Sequence, residues 1–204
     1  MSVWIKICGL TSHAAVRAAL EAGVDAVGFV FYAPSPRNVT PSQAASLARA
    51  VPAGVLKVAV AQHPPQALVD AIAAEFAPDL LQTDCADLAS LSLPPGLAVL
   101  PVLRSGQRLP ARLPARCLYE SATSGAGREA DWPAACELAG RTELILGGGL
   151  RPENVAAAIA AVQPFGVDVS SGVESAPGIK DAARIQAFVA AARGTAVRQA
   201  TFRE

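Results

Sequence analysis

The chain has 204 residues, of which 52% are hydrophobic, and its 17 lysines and arginines balance 17 aspartates and glutamates. This length fits a single domain over residues 1–204, with residues 193–204 as a polar and partly frayed tail. Because no run of like charge appears, neither nucleic acid nor a membrane surface is expected as a partner, and a small molecule is.

Short apolar runs alternate along the chain with alanine-rich stretches of helical period, which is typical of repeated βα units on a parallel sheet. The predicted strands are 3–8, 26–31, 55–60, 79–82, 98–103, 117–120, 143–146 and 166–170. The predicted helices are 12–22, 42–50, 65–74, 134–138, 152–162 and 182–192. Eight strands predict a closed (β/α)₈ barrel of the TIM type, an α/β fold in which the fourth or fifth unit has a weak or missing helix. The rival is an open doubly wound sheet, which ranks lower because no G-x-G-x-x-G motif follows the first strand.

Targeting and metal signals are absent from the sequence. Lys6 interrupts the first apolar run, and no segment reaches the length of a membrane span, so we expect a cytoplasmic protein. The four cysteines are too widely spaced for a C-x-x-C element, and His13 and His63 fit no metal-ligand pattern. The sequence therefore predicts neither disulfides nor a bound metal.

The alternation of side chains along the predicted strands indicates which residues face the barrel interior. The aliphatic residues of the first strand point towards the helices, which turns Lys6 and Cys8 inward. The same argument turns Asp168 and Ser170 inward on the eighth strand, and Glu120 inward on the sixth. Three reactive groups, Cys8, Glu120 and Asp168, are thus expected to line one cavity.

Each of these groups also has a purely structural explanation. A buried free cysteine usually behaves as a small hydrophobic residue, so position alone does not make Cys8 catalytic. A buried carboxylate needs a partner, and Lys6 on the neighbouring strand is a candidate for an ion pair with Asp168. Glu120 can equally cap a loop.

Two glycine-containing segments favour phosphate binding. Gly148 and Gly149 follow the seventh strand, and Ser170, Ser171 and Gly172 follow the eighth. Glycine lets backbone N–H groups approach an anion closely, and the loops after strands seven and eight are the usual phosphate site of this barrel. The alternative is that the glycines only make a tight turn.

The loop after the second strand supplies a cation. Pro34 and Pro36 stiffen this loop, so Arg37 is expected at the mouth of the barrel, where its planar fork suits a carboxylate.

Four ordered motifs resemble those of the phosphoribosylanthranilate isomerase family: Lys-Ile-Cys-Gly-Leu-Thr at residues 6–11, Ser-Pro-Arg at 35–37, Gly-Gly-Leu at 148–150 with Pro-Glu-Asn-Val at 152–155, and Asp-Val-Ser-Ser-Gly-Val-Glu at 168–174. The resemblance runs from the first strand to the last helix. It implies a catalytic barrel that performs a cofactor-free Amadori rearrangement in tryptophan biosynthesis, an aromatic amino-acid pathway. The phosphorylated substrate N-(5-phosphoribosyl)anthranilate becomes 1-(2-carboxyphenylamino)-1-deoxyribulose 5-phosphate. A monomer or a homodimer is expected, and the sequence does not distinguish between them.

The resemblance also implies roles for individual residues. Cys8 matches the family's general base, and Arg37 matches the arginine that holds the anthranilate carboxylate. Asp168 would contact the sugar, and the two glycine-containing loops would bind the phosphate. A base role requires that neighbouring cationic or dipolar groups lower the pKa of Cys8 from about 8.5.

Three segments depart from the family pattern, and one of them is Ser-Gly-Ala-Gly at 124–127 in place of a Gly-Gly-Thr-Gly-like loop. Glu120 stands where the family has an aspartate as general acid, and Asp84 stands in the segment where the family has Gln-Leu-His-Gly. An added methylene can misplace the acid, and a misplacement of about 1 Å can cost roughly a hundredfold in rate. Two alternatives therefore stay open: another barrel enzyme acting on a sugar phosphate, such as the related histidine-pathway isomerase with an aspartate in place of Cys8, or a phosphate-binding barrel with impaired catalysis.

Overall fold

The computed structural model describes residues 2–123 and 127–195. Eight parallel strands close into a barrel in the order β1 to β8, which confirms the predicted architecture. The strands are β1 (Trp4–Cys8), β2 (Ala26–Phe31), β3 (Leu56–Ala61), β4 (Leu80–Asp84), β5 (Ala98–Arg104), β6 (Arg116–Glu120), β7 (Glu143–Leu146) and β8 (Gly166–Val169). A short antiparallel hairpin, β9 (Glu174–Ala176) and β10 (Ile179–Lys180), follows β8.

In residues 2–123 and 127–195, six α-helices cover the outside of the barrel. They are α1 (His13–Glu21), α2 (Pro41–Ala48), α3 (Gln66–Ala71), α4 (Trp132–Ala139), α5 (Val155–Val162) and α6 (Ala182–Arg193). The fourth connection has only a 3₁₀ turn, Asp87–Ser90, and the fifth, 105–115, has no helix, which confirms the predicted weak units. No helix in the described part of the chain is both long and apolar enough to cross a bilayer.

Local sequence signals explain where several helices begin. Ser12 accepts a hydrogen bond from the Ala15 amide and caps α1, while Thr40 and Gln43 form a reciprocal capping box at α2. The helix predicted from residue 152 begins at Val155 instead. Asn154 accounts for the delay, because its side chain accepts a hydrogen bond from the Arg151 amide and donates one to the Gly149 carbonyl.

The core has two parts, as the alternation of side chains predicts. The larger part lies between the strands and the helices, and it includes the outward-facing Ile5, Ile7, Val167 and Val169. The smaller part fills the barrel interior with Leu100, Val102, Leu118 and Ile145, each almost fully buried. Packing on both faces fixes the strands, so the residues at their carboxyl ends are held by a rigid frame.

The last helix is tied to the amino-terminal end of the barrel. Arg193, predicted to begin a frayed tail, is instead the final residue of α6, where its side chain donates hydrogen bonds to the Val3 and Gly23 carbonyls and to Asp25. The rest of the predicted tail beyond residue 195 lies outside the described residues.

Candidate active site

A cavity of about 620 Å³ opens at the carboxyl ends of the barrel strands. This volume is in the range of small-molecule sites, and this end of the barrel is where such enzymes place their chemistry. The structure brings six of the predicted site residues together in its lining: Cys8, Arg37, Glu120, Asp168, Ser170 and Ser171. Gln82, Arg104 and Glu174 also line the cavity, and no role was predicted for them from the sequence.

Asp168 lines this cavity together with Cys8, and the side chain of Lys6 is buried against Asp168. The Lys6 ammonium is fully buried and donates a hydrogen bond of 2.7 Å to the Asp168 carboxylate, which confirms the proposed ion pair. Gly28 provides the space, since a Cβ there would lie 3.1 Å from both the Cys8 sulfur and the Lys6 Cε. Burial alone would lower the pKa of Lys6, but Asp168 and Cys8 outweigh it and raise that pKa.

The pKa of Cys8 is raised in this site, so the expected lowering of that pKa is wrong. Burial raises the pKa of the thiol, and the Asp168 carboxylate acts in the same direction. The Lys6 and Lys180 ammonium groups oppose this change without overcoming it. These surroundings therefore favour the protonated thiol, and a thiolate formed here is a stronger base than that of a free cysteine.

Glu120 ends β6 and reaches into the cavity beside Arg104, which ends β5. Arg104 donates a 2.8 Å hydrogen bond to Glu120, and it also contacts Asp84 through two nitrogens, at 2.8 and 2.6 Å. Burial acts to lower the pKa of Arg104, but the two carboxylates raise it. The strand end itself is fixed, because the Glu120 carbonyl accepts hydrogen bonds from the Ser105 amide and hydroxyl.

Arg37 is buried against the cavity wall, and its fork already holds a carboxylate of the protein. Its Nε and Nη2 donate to the two carboxylate oxygens of Glu174 at 2.7 and 2.8 Å. The hydrogen bond with Glu174 raises the pKa of Arg37, which stays a cation. Gly9 has φ of +75°, and a Cβ there would lie 2.5 Å from the Arg37 Cδ, so this glycine makes room for the arginine stem.

Glu174 also connects Arg37 to the loop after β8. Lys180 donates a 2.6 Å hydrogen bond to Glu174 and further hydrogen bonds to the carbonyl and hydroxyl of Ser170. Burial raises the pKa of Glu174, but Arg37 and Lys180 reverse this and lower it. Burial lowers the pKa of Lys180 against the opposing effect of Glu174. One carboxylate thus holds two cations.

A second, smaller cavity of about 40 Å³ adjoins the first and shares with it Glu120, Gly127, Asp168, Ser170 and Ser171. Gly148, Gly149 and Arg128 also line it. Both glycines have positive φ, and a Cβ on Gly149 would lie 2.6 Å from the Glu129 amide. These two glycines are therefore needed for the turn itself and for the close approach of the loop after β6, in addition to any binding of an anion.

Gly172 has a different position from the other predicted phosphate-loop residues. Gly172 is not among the described residues that line either cavity. A Cβ on Gly172 would lie 1.9 Å from the Leu150 carbonyl oxygen. This glycine lets the 3₁₀ turn Ser171–Val173 pack against the loop after β7, so it supports the loop by close backbone contact.

Two further features flank the main cavity. The Gln82 side-chain oxygen is buried and has no hydrogen-bond partner in the described structure, so it is an acceptor that a ligand can use. On the rim, His63, Asp84 and Asp87 place possible metal-ligand atoms within 4.8 Å of one another. Hydrogen bonding accounts for this cluster, since His63 contacts Asp87 at 2.8 Å and Asp84 is held by Arg104.

Comparison with known proteins gives consistent matches over almost the whole chain. The family model of N-(5'phosphoribosyl)anthranilate (PRA) isomerase matches residues 5–191. The N-(5'-phosphoribosyl)anthranilate isomerase of Paracoccus denitrificans is 42% identical over 215 aligned residues, covering 94% of this chain and 98% of the relative.

Solved structures agree with the sequence matches. TrpF from Jonesia denitrificans has a TM-score of 0.79 at 36% identity, covering 95% of this chain and 98% of that one. A phosphoribosyl anthranilate isomerase solved with reduced 1-(o-carboxyphenylamino)-1-deoxyribulose 5-phosphate has a TM-score of 0.76 at 29% identity, covering 94% and 99%.

Proposed function

This chain belongs to the N-(5'-phosphoribosyl)anthranilate isomerase family, and on that premise we propose that its cavity uses Cys8 as the general base and Glu120 as the general acid. The chain is an isomerase of tryptophan biosynthesis that converts N-(5-phosphoribosyl)anthranilate to 1-(2-carboxyphenylamino)-1-deoxyribulose 5-phosphate. The observation that carries the residue assignment is that Cys8, Glu120 and Asp168, from three different strands, line one cavity.

The reaction needs an acid and a base in one enclosed place. Protonation of the ribose ring oxygen by Glu120 breaks the C1–O bond, and the aniline nitrogen supplies the electron pair that forms the C1=N bond. Cys8 then removes the proton from C2, which gives an enolamine. Protonation of C1 and loss of the hydroxyl proton at C2 complete the ketone. Proton transfers of this kind contribute about 10²- to 10⁴-fold each.

The remaining groups bind the two ends of the substrate. Arg37 has N–H groups beyond the two that contact Glu174, and these can hold the anthranilate carboxylate. The small cavity beside Gly148, Gly149, Ser170 and Ser171 is the place for the phosphate, with Gly172 supporting the loop. Asp168 lies between the two sites, where it can contact the sugar hydroxyls.

Turnover and complementation test these assignments. The gene should restore growth to a tryptophan auxotroph that lacks this isomerase, which would rule out an impaired barrel and a barrel specific for another sugar phosphate. The Cys8→Ala and Glu120→Gln variants should each lose at least about a hundredfold in kcat while still binding the product. Cys136→Ala, which changes an exposed thiol on α4, is the matched control. Full turnover by either variant would remove that residue from the mechanism.

We also expect a cytoplasmic enzyme that works without a metal or cofactor, as a monomer or a homodimer. Light scattering of the purified protein distinguishes the two assemblies. Turnover that survives exhaustive treatment with a chelator would support metal-independent chemistry, and cell fractionation tests the location.

A further inference from the structure

Arg104 lies between two carboxylates that come from the neighbouring strands. Its Nη1 donates to Glu120 on β6, while its Nε and Nη2 contact the same oxygen of Asp84 on β4. The exposed fractions of the three side chains are only 6% for Arg104, 10% for Asp84 and 14% for Glu120. In such a setting water screens the charges little, so the ionic state of each group depends strongly on the others.

This arrangement joins two of the three departures from the family pattern. Glu120 replaces the family's aspartate and Asp84 lies in the altered fourth-strand segment, and both contact one guanidinium. The longer Glu120 side chain lets its carboxylate meet Arg104 at 2.8 Å. Asp84 gives the same arginine a second partner and offsets part of its charge. The changes are therefore parts of one three-residue contact.

We propose that Arg104 is a positioning residue that aims the Glu120 carboxyl group into the cavity, and that Asp84 sets how strongly Arg104 holds the ionised form. The inference rests on the proposed role of Glu120 as general acid. An acid beside an unopposed guanidinium gives up its proton too readily to transfer it near neutral pH. Asp84 reduces that effect while the fork geometry of Arg104 keeps the carboxyl group in one orientation.

Other charged groups near Glu120 are part of the same electrostatic setting. Those sharing a cavity with it are Cys8, Arg37, Asp84, Arg104, Arg128, Asp168 and Glu174, and His63 lies 3.7 Å from Asp84. Arg104 is in direct contact with Glu120, so its removal should have a large effect on the titration of this residue. Asp84 acts on Glu120 through Arg104, so its removal should have a smaller and opposite effect.

The test follows the titration of Glu120 by NMR in protein labelled with ¹³C at the glutamate carboxyl groups. The Glu120 signal is identified by its loss in Glu120→Gln. Arg104→Gln should move its titration to higher pH by about one to three units, because an opposite charge is removed. Asp84→Asn should move it to lower pH, because the full charge of Arg104 then acts on Glu120. A purely structural role gives no such pair of opposite shifts.

Kinetics supply a second measurement. The limb of the pH profile of kcat that disappears in Glu120→Gln should shift to higher pH in Arg104→Gln and to lower pH in Asp84→Asn. Arg104→Lys keeps the positive charge, so the shift should be small. This variant should still lower kcat, since an ammonium cannot bridge both carboxylates as a guanidinium fork does. Arg116→Gln removes a more exposed arginine–glutamate contact at the other end of the barrel and should change neither measurement.

Each outcome decides the proposal. Shifts of the Glu120 titration in the same direction in both variants, or no shift in Asp84→Asn, would overturn it. If Arg104→Gln does not fold, Asp84→Asn still tests the proposal, because it keeps the Arg104–Glu120 contact. If Glu120→Gln keeps full turnover, the general-acid role fails, while the NMR titration still reports whether Arg104 and Asp84 control this carboxyl group.

Discussion

The Lys6 ammonium and the Asp168 carboxylate are joined by a 2.7 Å contact in which Lys6 is fully buried and Asp168 nearly so. Breaking a buried pair leaves one charge without compensation, which costs more than the pair itself contributes. This contact lies next to Cys8, so it influences both the stability of the barrel and the chemistry above it.

Lys6→Met should lower the free energy of unfolding by about 3–5 kcal/mol, because Asp168 is left charged and unpaired. Urea denaturation measures this loss. The double variant Lys6→Met/Asp168→Asn removes both charges and should recover much of the stability. If the single variant is as stable as the unmodified protein, the pair does not carry the charge compensation assigned to it.

Because of the Lys6–Asp168 pair, we expect the protein to lose stability at alkaline pH. The pKa of Lys6 is raised in the folded protein, so its contribution is complete below the unfolded value of about 10.4. The contribution should then decrease as the pH rises through the higher folded value. Urea denaturation between neutral and strongly alkaline pH measures the decrease, which should be smaller in the double variant without the pair.

Glu174→Gln should weaken the binding of both ends of the substrate, because Arg37 and Lys180 lose their shared carboxylate. The expected result is a higher KM together with a loss of about 3 kcal/mol in stability, since two largely buried cations are left without a charged partner. Steady-state kinetics and urea denaturation measure the two effects. An unchanged KM would mean that Glu174 does not position the binding groups.

Glu174 should also contribute to the loss of folding stability at acidic pH. The pKa of this carboxyl group is lowered in the folded state, so the stabilisation is present above the unfolded value of about 4.3 and is lost as the pH falls through the lower folded value. Thermal unfolding measured from neutral pH to below pH 4 should show this loss. The slope over that acidic range should be reduced in Glu174→Gln.

Gly172→Ala should disturb the loop after β8 severely, because the new Cβ would lie 1.9 Å from the Leu150 carbonyl. We expect a loss of at least about 2 kcal/mol in stability and weaker binding of inorganic phosphate. Gly140→Ala is the matched control, since its nearest atom would be a carbonyl at 3.7 Å and its φ is −74°. Equal stability of the two variants would contradict this assignment.

The sequence predicted the frame of the site well because the barrel depends on local patterns. Alternation along β1 and β8 correctly placed Lys6, Cys8 and Asp168 inward, since residues of one parity pack against the helices. The same argument placed Glu120 in the cavity. The closed order of eight strands likewise followed from the count of apolar runs.

The charge networks were harder to predict because they depend on which side chains meet across strands. Arg104 has the same parity as the interior residues Leu100 and Val102, and this signal could have identified it. Its contacts with Asp84 and Glu120 depend on strand register, which no local pattern contains. Glu174 follows a 3₁₀ turn, so strand alternation could not place it opposite Arg37.

The contact of Arg104 with Asp84 and Glu120 has a consequence for how this site can evolve. A change from this arrangement to a lone aspartate acid requires substitutions on three consecutive strands. Most single steps leave a buried charge unpaired, and each such intermediate is expected to fold less stably. The three positions should therefore be exchanged together, and a substitution at only one of them should destabilise this chain.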